Sequence, residues 1–246
     1  MLFETNLDSI ALPDLVPTRT AGARRLPAQV RKGDNSAQVN SGALITFDAS
    51  IPEQALEDIS NSILFCQLAA DKKFDRKAAP QEWSTVFLGT LSIVGWIVQS
   101  TSNKSETARG AVDWAALATS RMSRTAARLA DEGIAACDAL PPTADAILIW
   151  NDAVVGPASN FFVIAAAPSA GSSTALSLTL CGFQSAVPNT GFLAWGLQYD
   201  IDTTWLDLTL NEGLYAKVRQ TIIDKLGDRP SYLVSAVQLE QTEHIG

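Results

Sequence analysis

Residues 175–181 read Ala175-Leu-Ser-Leu-Thr-Leu-Cys181, aliphatic at every second position and small and uncharged between. A period of two is that of a β-strand, with the leucines on one face and Ser177, Thr179 and Cys181 on the other. Similar runs lie on both sides: Phe161-Phe-Val-Ile164 before it, and Phe192-Leu-Ala-Trp-Gly-Leu-Gln198 and Thr204-Trp-Leu-Asp-Leu-Thr209 after it. Pro, Gly, Ser and Asn separate them, so the spacing predicts an antiparallel meander.

The same region holds no charged side chain from Ala153 to Tyr199. In a chain that is 18% charged, chance gives an uncharged run of that length with a probability on the order of 10⁻⁴, against a usual charged fraction of about 25%. Soluble sheets normally carry charges on exposed faces and edges, where they discourage pairing with other sheets. Three readings follow: a sheet covered by the chain's own helices, a sheet covered by another copy, or a hairpin inserted into a membrane. The second makes Leu176, Ser177, Thr179, Phe192, Trp195 and Tyr199 the candidate interface. The third rests on Thr174 to Gln184 and Phe192 to Asp200, about ten residues each, which matches a transmembrane β-hairpin.

Upstream the period lengthens to helical. Ala43-Leu-Ile-Thr-Phe47 alternates as a strand, and Ser50-Ile-Pro-Glu53 has the form of a capping box. A helix then carries Leu56, Ile59, Ile63 and Cys66 on one stripe, and a second opens at Pro80 with Trp83, Phe87, Leu91 and Val94 inward and Gly95 as its stop. Trp96-Ile-Val-Gln-Ser100 reads as a strand. A long alanine-rich helix is expected from about Val112 to Leu140, and a last one from Asn211 to Gly227, followed by a strand from Tyr232 to Leu239. Helices and an antiparallel meander together give an α+β fold, one domain over 43–246. Residues 1–42 mix Pro13, Pro17 and Pro27 with Arg24, Arg25, Arg31 and Lys32, and read as an extended arm.

Charge and composition narrow the function classes. A net charge of −8 repels phosphate backbones, which argues against a nucleic-acid partner. The amino-terminal stretch lacks the basic and apolar regions of a secretory signal, so we expect synthesis in the cytoplasm, with any release by a route that does not read such a signal. Cys66, Cys137 and Cys181 have no paired spacing, which fits free thiols better than a disulfide framework or a zinc site. His244, the only histidine, sits in a polar tail, a poor place to hold a base beside a nucleophile. Asp200, Asp202 and Asp207 are the remaining candidates for acid–base or calcium chemistry. No nucleotide, metal or other cofactor motif is found, and we expect a non-enzymatic protein.

The segments Ile63-Leu-Phe-Cys-Gln-Leu-Ala-Ala-Asp-Lys-Lys-Phe-Asp-Arg76, Val94-Gly-Trp-Ile-Val-Gln99 and Leu208-Thr-Leu-Asn-Glu-Gly-Leu-Tyr-Ala-Lys-Val-Arg-Gln220 resemble landmarks of a family of uncharacterised bacterial proteins. In size, mixed α/β pattern and a sheet cysteine the chain is also similar to the Evf type of bacterial virulence factor, in which a cysteine is lipid-acylated. That resemblance implies acylation at Cys181 and a lipid- or membrane-directed virulence role. The reading of the residues themselves favours a homo-oligomer or partner-binding protein that uses its neutral sheet and its arm, with a carboxylate hydrolase as the third alternative.

Overall fold

The computed structural model describes residues 7–15, 34–156, 159–169, 171, 173–184, 192–193 and 198–239. The chain is α+β, built on a mostly antiparallel sheet of seven strands in the order β3-β6-β5-β4-β2-β1-β7. In chain order these are β1 (Ser36–Asn40), β2 (Ala43–Phe47), β3 (Trp96–Arg109), β4 (Ser159–Ala167), β5 (Ala175–Gln184), β6 (Gln198–Leu210) and β7 (Val234–Val237). The meander is present as β4-β5-β6, and β2 against β4 is the one parallel pair.

One face of the sheet carries α1 (Glu53–Asp71), α2 (Pro80–Ile93) and α6 (Glu212–Leu226). Leu176, Leu178 and Leu180 point into this layer, against Phe65, Trp83, Phe87 and Tyr215. The opposite face carries α3 (Trp114–Thr119), α4 (Arg124–Asp138) and α5 (Asp145–Val154). Phe162, Ile164, Cys181 and Phe183 meet Trp114, Leu129 and Trp150 there. The short α7 (Pro230–Leu233) leads into β7. Helices on both faces account for the absence of charge in the strands: β4 and β5 lie inside the sheet and are covered above and below, apart from Gln184 at the exposed end of β5.

Several boundaries differ from the expectation. Residues 36–40, assigned to the arm, form β1, because a two-residue turn at Ser41-Gly42 folds them back on β2, with Ser41 at φ 53°. Leu7 is buried in the first core, and Lys225 and Arg229 hold the carbonyls of Asp8, Ile10 and Pro13, so residues 7–15 rest on their own domain. The expected helix over 112–140 is two helices, since the Ser123 side chain accepts from Ala126 N–H and restarts the chain as α4. Helix α1 begins after Pro52, and Ser50 instead donates to Asp48, so the capping box is not formed. Asn211 caps α6 as expected, and Gly95 ends α2 with a φ of 108°. Phe192 lies in a turn, and the final β-strand of the meander starts at Gln198 and runs unbroken to Leu210.

Polar side chains join α1 to the sheet. Gln38 and Asn40 of β1 donate to Ser60, and Gln67 donates to the Asn40 carbonyl while accepting from Gly42 N–H. Arg76 closes the network by donating to Gln67 at 2.9 Å and to both carboxylate oxygens of Asp71. Buried polar groups are stable only when partnered in this way.

Two glycines should therefore respond in opposite directions. A Cβ at Gly42 would lie 2.0 Å from the Arg76 Nη1, so Gly42→Ala is expected to lose roughly 1–3 kcal/mol by breaking the buried hydrogen bond from Nη1 to Gln67. A Cβ at Gly89 in α2 meets nothing, and Gly89→Ala should gain about 0.5–1 kcal/mol from helix propensity. Urea unfolding of the two variants measures both shifts.

Candidate functional site

The residues expected at an interface are for the most part sheltered by the chain itself. Leu176 packs in the first core. Ser177 donates to Asp207, and Thr179 donates to the Ala118 carbonyl at 2.7 Å. That carbonyl, near the end of α3, also accepts from the Trp205 indole, so the free end of a short helix is satisfied by two strands. Phe192 packs its ring 4.8 Å from that of Trp150. Trp195 and the Val187-to-Gly191 connection lie outside the described residues, and of Tyr199 only the backbone, paired with Ala108, is described. The open face expected at Leu176, Ser177, Thr179 and Phe192 is thus covered by α1, α2 and α6 on one side and by α3 to α5 on the other.

Cys181 is fully buried, with its sulfur 3.9 Å from the Thr203 hydroxyl. The space that Gly182 leaves is on the opposite face, where the Phe161 ring fills it, so the neighbouring glycine does not open a path to the thiol. Burial pushes the Cys181 thiol up to about 12; the Thr203 hydrogen bond opposes this, and Asp202 and Glu106 add to it. Cys137 is raised to about 12 by burial and then by Asp138, and burial also raises Cys66. A thiol that stays protonated and has no approach is a poor nucleophile. His244 lies outside the described residues.

The three aspartates do not form one site. Asp200 and Asp202 share a face of β6 and accept from Thr107 and Ser105 across the ladder. Asp207 points to the other face, where it accepts from Ser100 and Ser177. Among the described residues no group of three or more His, Cys, Asp or Glu side chains is placed to hold a metal ion.

What stands open to solvent is the sheet edge at β3. Among the described residues this strand pairs only with β6, and none of them covers its other side. After a register shift between Val98 and Ser100, residues 100–109 pair without interruption with 207–198. Ile97 and Val98 are 48% and 44% exposed, among the few large apolar side chains open to water. The other edge, β7, has only four residues. The strand expected from the sequence ends at Ser100, because Ser100-Thr-Ser-Asn-Lys-Ser-Glu-Thr107 is polar on both faces and shows no hydrophobic alternation. Only Thr101 and Thr107 in that stretch favour a strand, and Asn103, Lys104 and Glu106 oppose it, so the extension rests on pairing with β6.

On this edge Lys104 and Glu106, two residues apart and on one face, are ion-paired at 2.7 Å. Both are solvated, and such a pair by itself contributes little to stability.

No known family and no curated protein matches the sequence. Among solved structures the chain has a weak similarity to the Evf virulence factor, at 13% identity and a TM-score of 0.42, covering 91% of this chain and 89% of that one. A delta-endotoxin is more distant, at 11% identity and a TM-score of 0.34, covering 70% and 84%. No site or activity transfers at this distance.

The thiols give a prediction with a definite sign. Unfolded thiols titrate near 9.0, whereas Cys137 and Cys181 hold their protons to about 12 in the fold. Stability from this source is complete below pH 9 and falls as pH rises toward 12, because the unfolded chain binds fewer protons there. Cys181→Ala should flatten the alkaline slope in urea unfolding. A thiol reagent at pH 8 should label Cys181 only after unfolding.

Proposed function

We propose that this protein self-associates by pairing β3 with the β3 of a second copy about a two-fold axis, extending the sheet across the dimer. The observation that carries this reading is the long edge that no described residue pairs with at one end of the sheet, set against a four-residue strand at the other. A free strand edge presents alternate N–H and C=O groups that a second strand can satisfy.

The sequence of β3 favours a second copy of itself as the occupant. When two β3 strands run antiparallel with Ser105 opposite Ser105, Lys104 of each lies opposite Glu106 of the other, since 104 and 106 are equidistant from 105. The existing Lys104–Glu106 pair then becomes half of a square of alternating charges on one sheet face. Cross-strand opposite charges contribute roughly 0.2–1 kcal/mol each, and like charges cost a similar amount. The shift at Val98 and Ser100 stops the pairing before it reaches the apolar Ile97, which limits the contact to a short ladder. Contacts of this size fall in the class of weak, reversible association.

The charge square supplies the test. Sedimentation velocity from micromolar to millimolar protein should show a monomer–dimer equilibrium that weakens with salt. Lys104→Glu should weaken the dimer about tenfold, and combining it with Glu106→Lys should restore the affinity by rebuilding the alternation. A strict monomer throughout that range, or a double variant no better than the single, would overturn the proposal.

A further inference from the structure

At the far end of the sheet from β3, a cavity of about 630 Å³ opens beside the Ser41-Gly42 turn, between the end of α1, α5 and α7. Its volume is in the range of small-molecule sites. The walls are apolar, formed by Leu68, Phe74, Ile149 and Leu233, and Phe74 is 38% exposed at the mouth. Two buried polar side chains line it, Ser41 and Arg76, and of these Arg76 carries charge, with its side chain only 4% exposed.

A guanidinium has five N–H donors. In Arg76 the Nε and one Nη2 donor hold Asp71, at 3.0 and 2.5 Å, and one Nη1 donor holds Gln67. Two donors are left without a partner among the described residues. The group is also locked in place, stacked on the Trp83 ring at 4.7 Å, while the Trp83 indole donates to Asp71. A fixed, nearly dry guanidinium with spare donors is suited to the oxygens of a carboxylate or sulfonate. The ionisable lining sets Arg76, Lys77 and Arg229 against Asp14, Asp71, Asp75 and Asp152, which leaves no excess of positive charge to hold a multiply charged ligand such as a nucleotide.

We propose that this cavity binds a small organic monoanion, a carboxylate or sulfonate with a compact apolar body, whose acid group is held by the spare donors of Arg76. Apolar burial by Leu68, Phe74 and Ile149 supplies the affinity, and the guanidinium sets the orientation. The site is independent of the β3 edge, so neither reading depends on the other.

The test uses 1-anilinonaphthalene-8-sulfonate with the full-length protein, and N-phenyl-1-naphthylamine as its neutral counterpart. The sulfonate should bind once per chain, at least tenfold tighter than the neutral compound, and raise the melting temperature. Ala153→Phe places a ring in the cavity beside Arg76 and should abolish the binding. Arg76→Gln should reduce sulfonate affinity at least tenfold and leave the neutral compound unchanged. If Arg76→Gln does not fold, the Ala153→Phe and neutral-compound arms still decide the matter. Equal affinity for the two compounds, or full binding to Ala153→Phe, would overturn the proposal and assign the fluorescence to a generic apolar surface.

Discussion

The architecture depends on one constraint, the burial of β4 and β5 on both faces at once. A strand of this kind has no covered position for a charged group, because a charge removed from water without a partner costs several kcal/mol, and the Cys181 thiol stays neutral there. Its ladder must also continue on both sides, with β2 and β6 supplying the neighbours. The sheet grows outward from that centre until a strand is solvated enough to stop, and this happens at β3, whose residues 100–107 are polar on both faces. The position that bears the proposed contact is therefore set by where the apolar core ends.

A second, smaller constraint fixes how α1 sits on the sheet. Its buried side includes Asp58, Ser60, Asn61, Ser62 and Gln67. Ser60 and Gln67 match Gln38 and Asn40 of β1, and Asp58 takes the Arg219 guanidinium of α6 at 2.8 and 2.7 Å. Hydrogen bonds of this sort add little net energy but tolerate one register only. They also hold Arg76, and through it the floor of the cavity, in a single orientation. Its tight approach to the Ser41-Gly42 turn admits no side chain at residue 42.

Much of the fold could be read from residue order. The caps at Asn211 and Gly95, the stripes of α1 and α2, and the meander through Leu176, Leu178 and Leu180 are local patterns with local causes. Helix α5 was missed because Asp145–Val154 is short and follows Pro141-Pro142, which reads as a terminus. The site was less legible still. Residues 153–199 drew attention because they lack charge, yet charge is lacking there for a structural reason, and the exposed edge is written in the ordinary polar residues of β3. The Asp200, Asp202 and Asp207 cluster came apart because alternation sends Asp207 to the opposite face from the other two.

By itself the sequence determined where most of the strands and helices lie, since periodicity and capping act over a few residues. It also determined that the central strands could carry no charge. Only the tertiary structure decided what covers those strands, which edge of the sheet stays open, and that Arg76 reaches a cavity beside Ser41-Gly42. These are contacts between residues far apart in the chain, fixed by the order in which strands pair and by which face each helix covers, and neither leaves a mark on neighbouring residues.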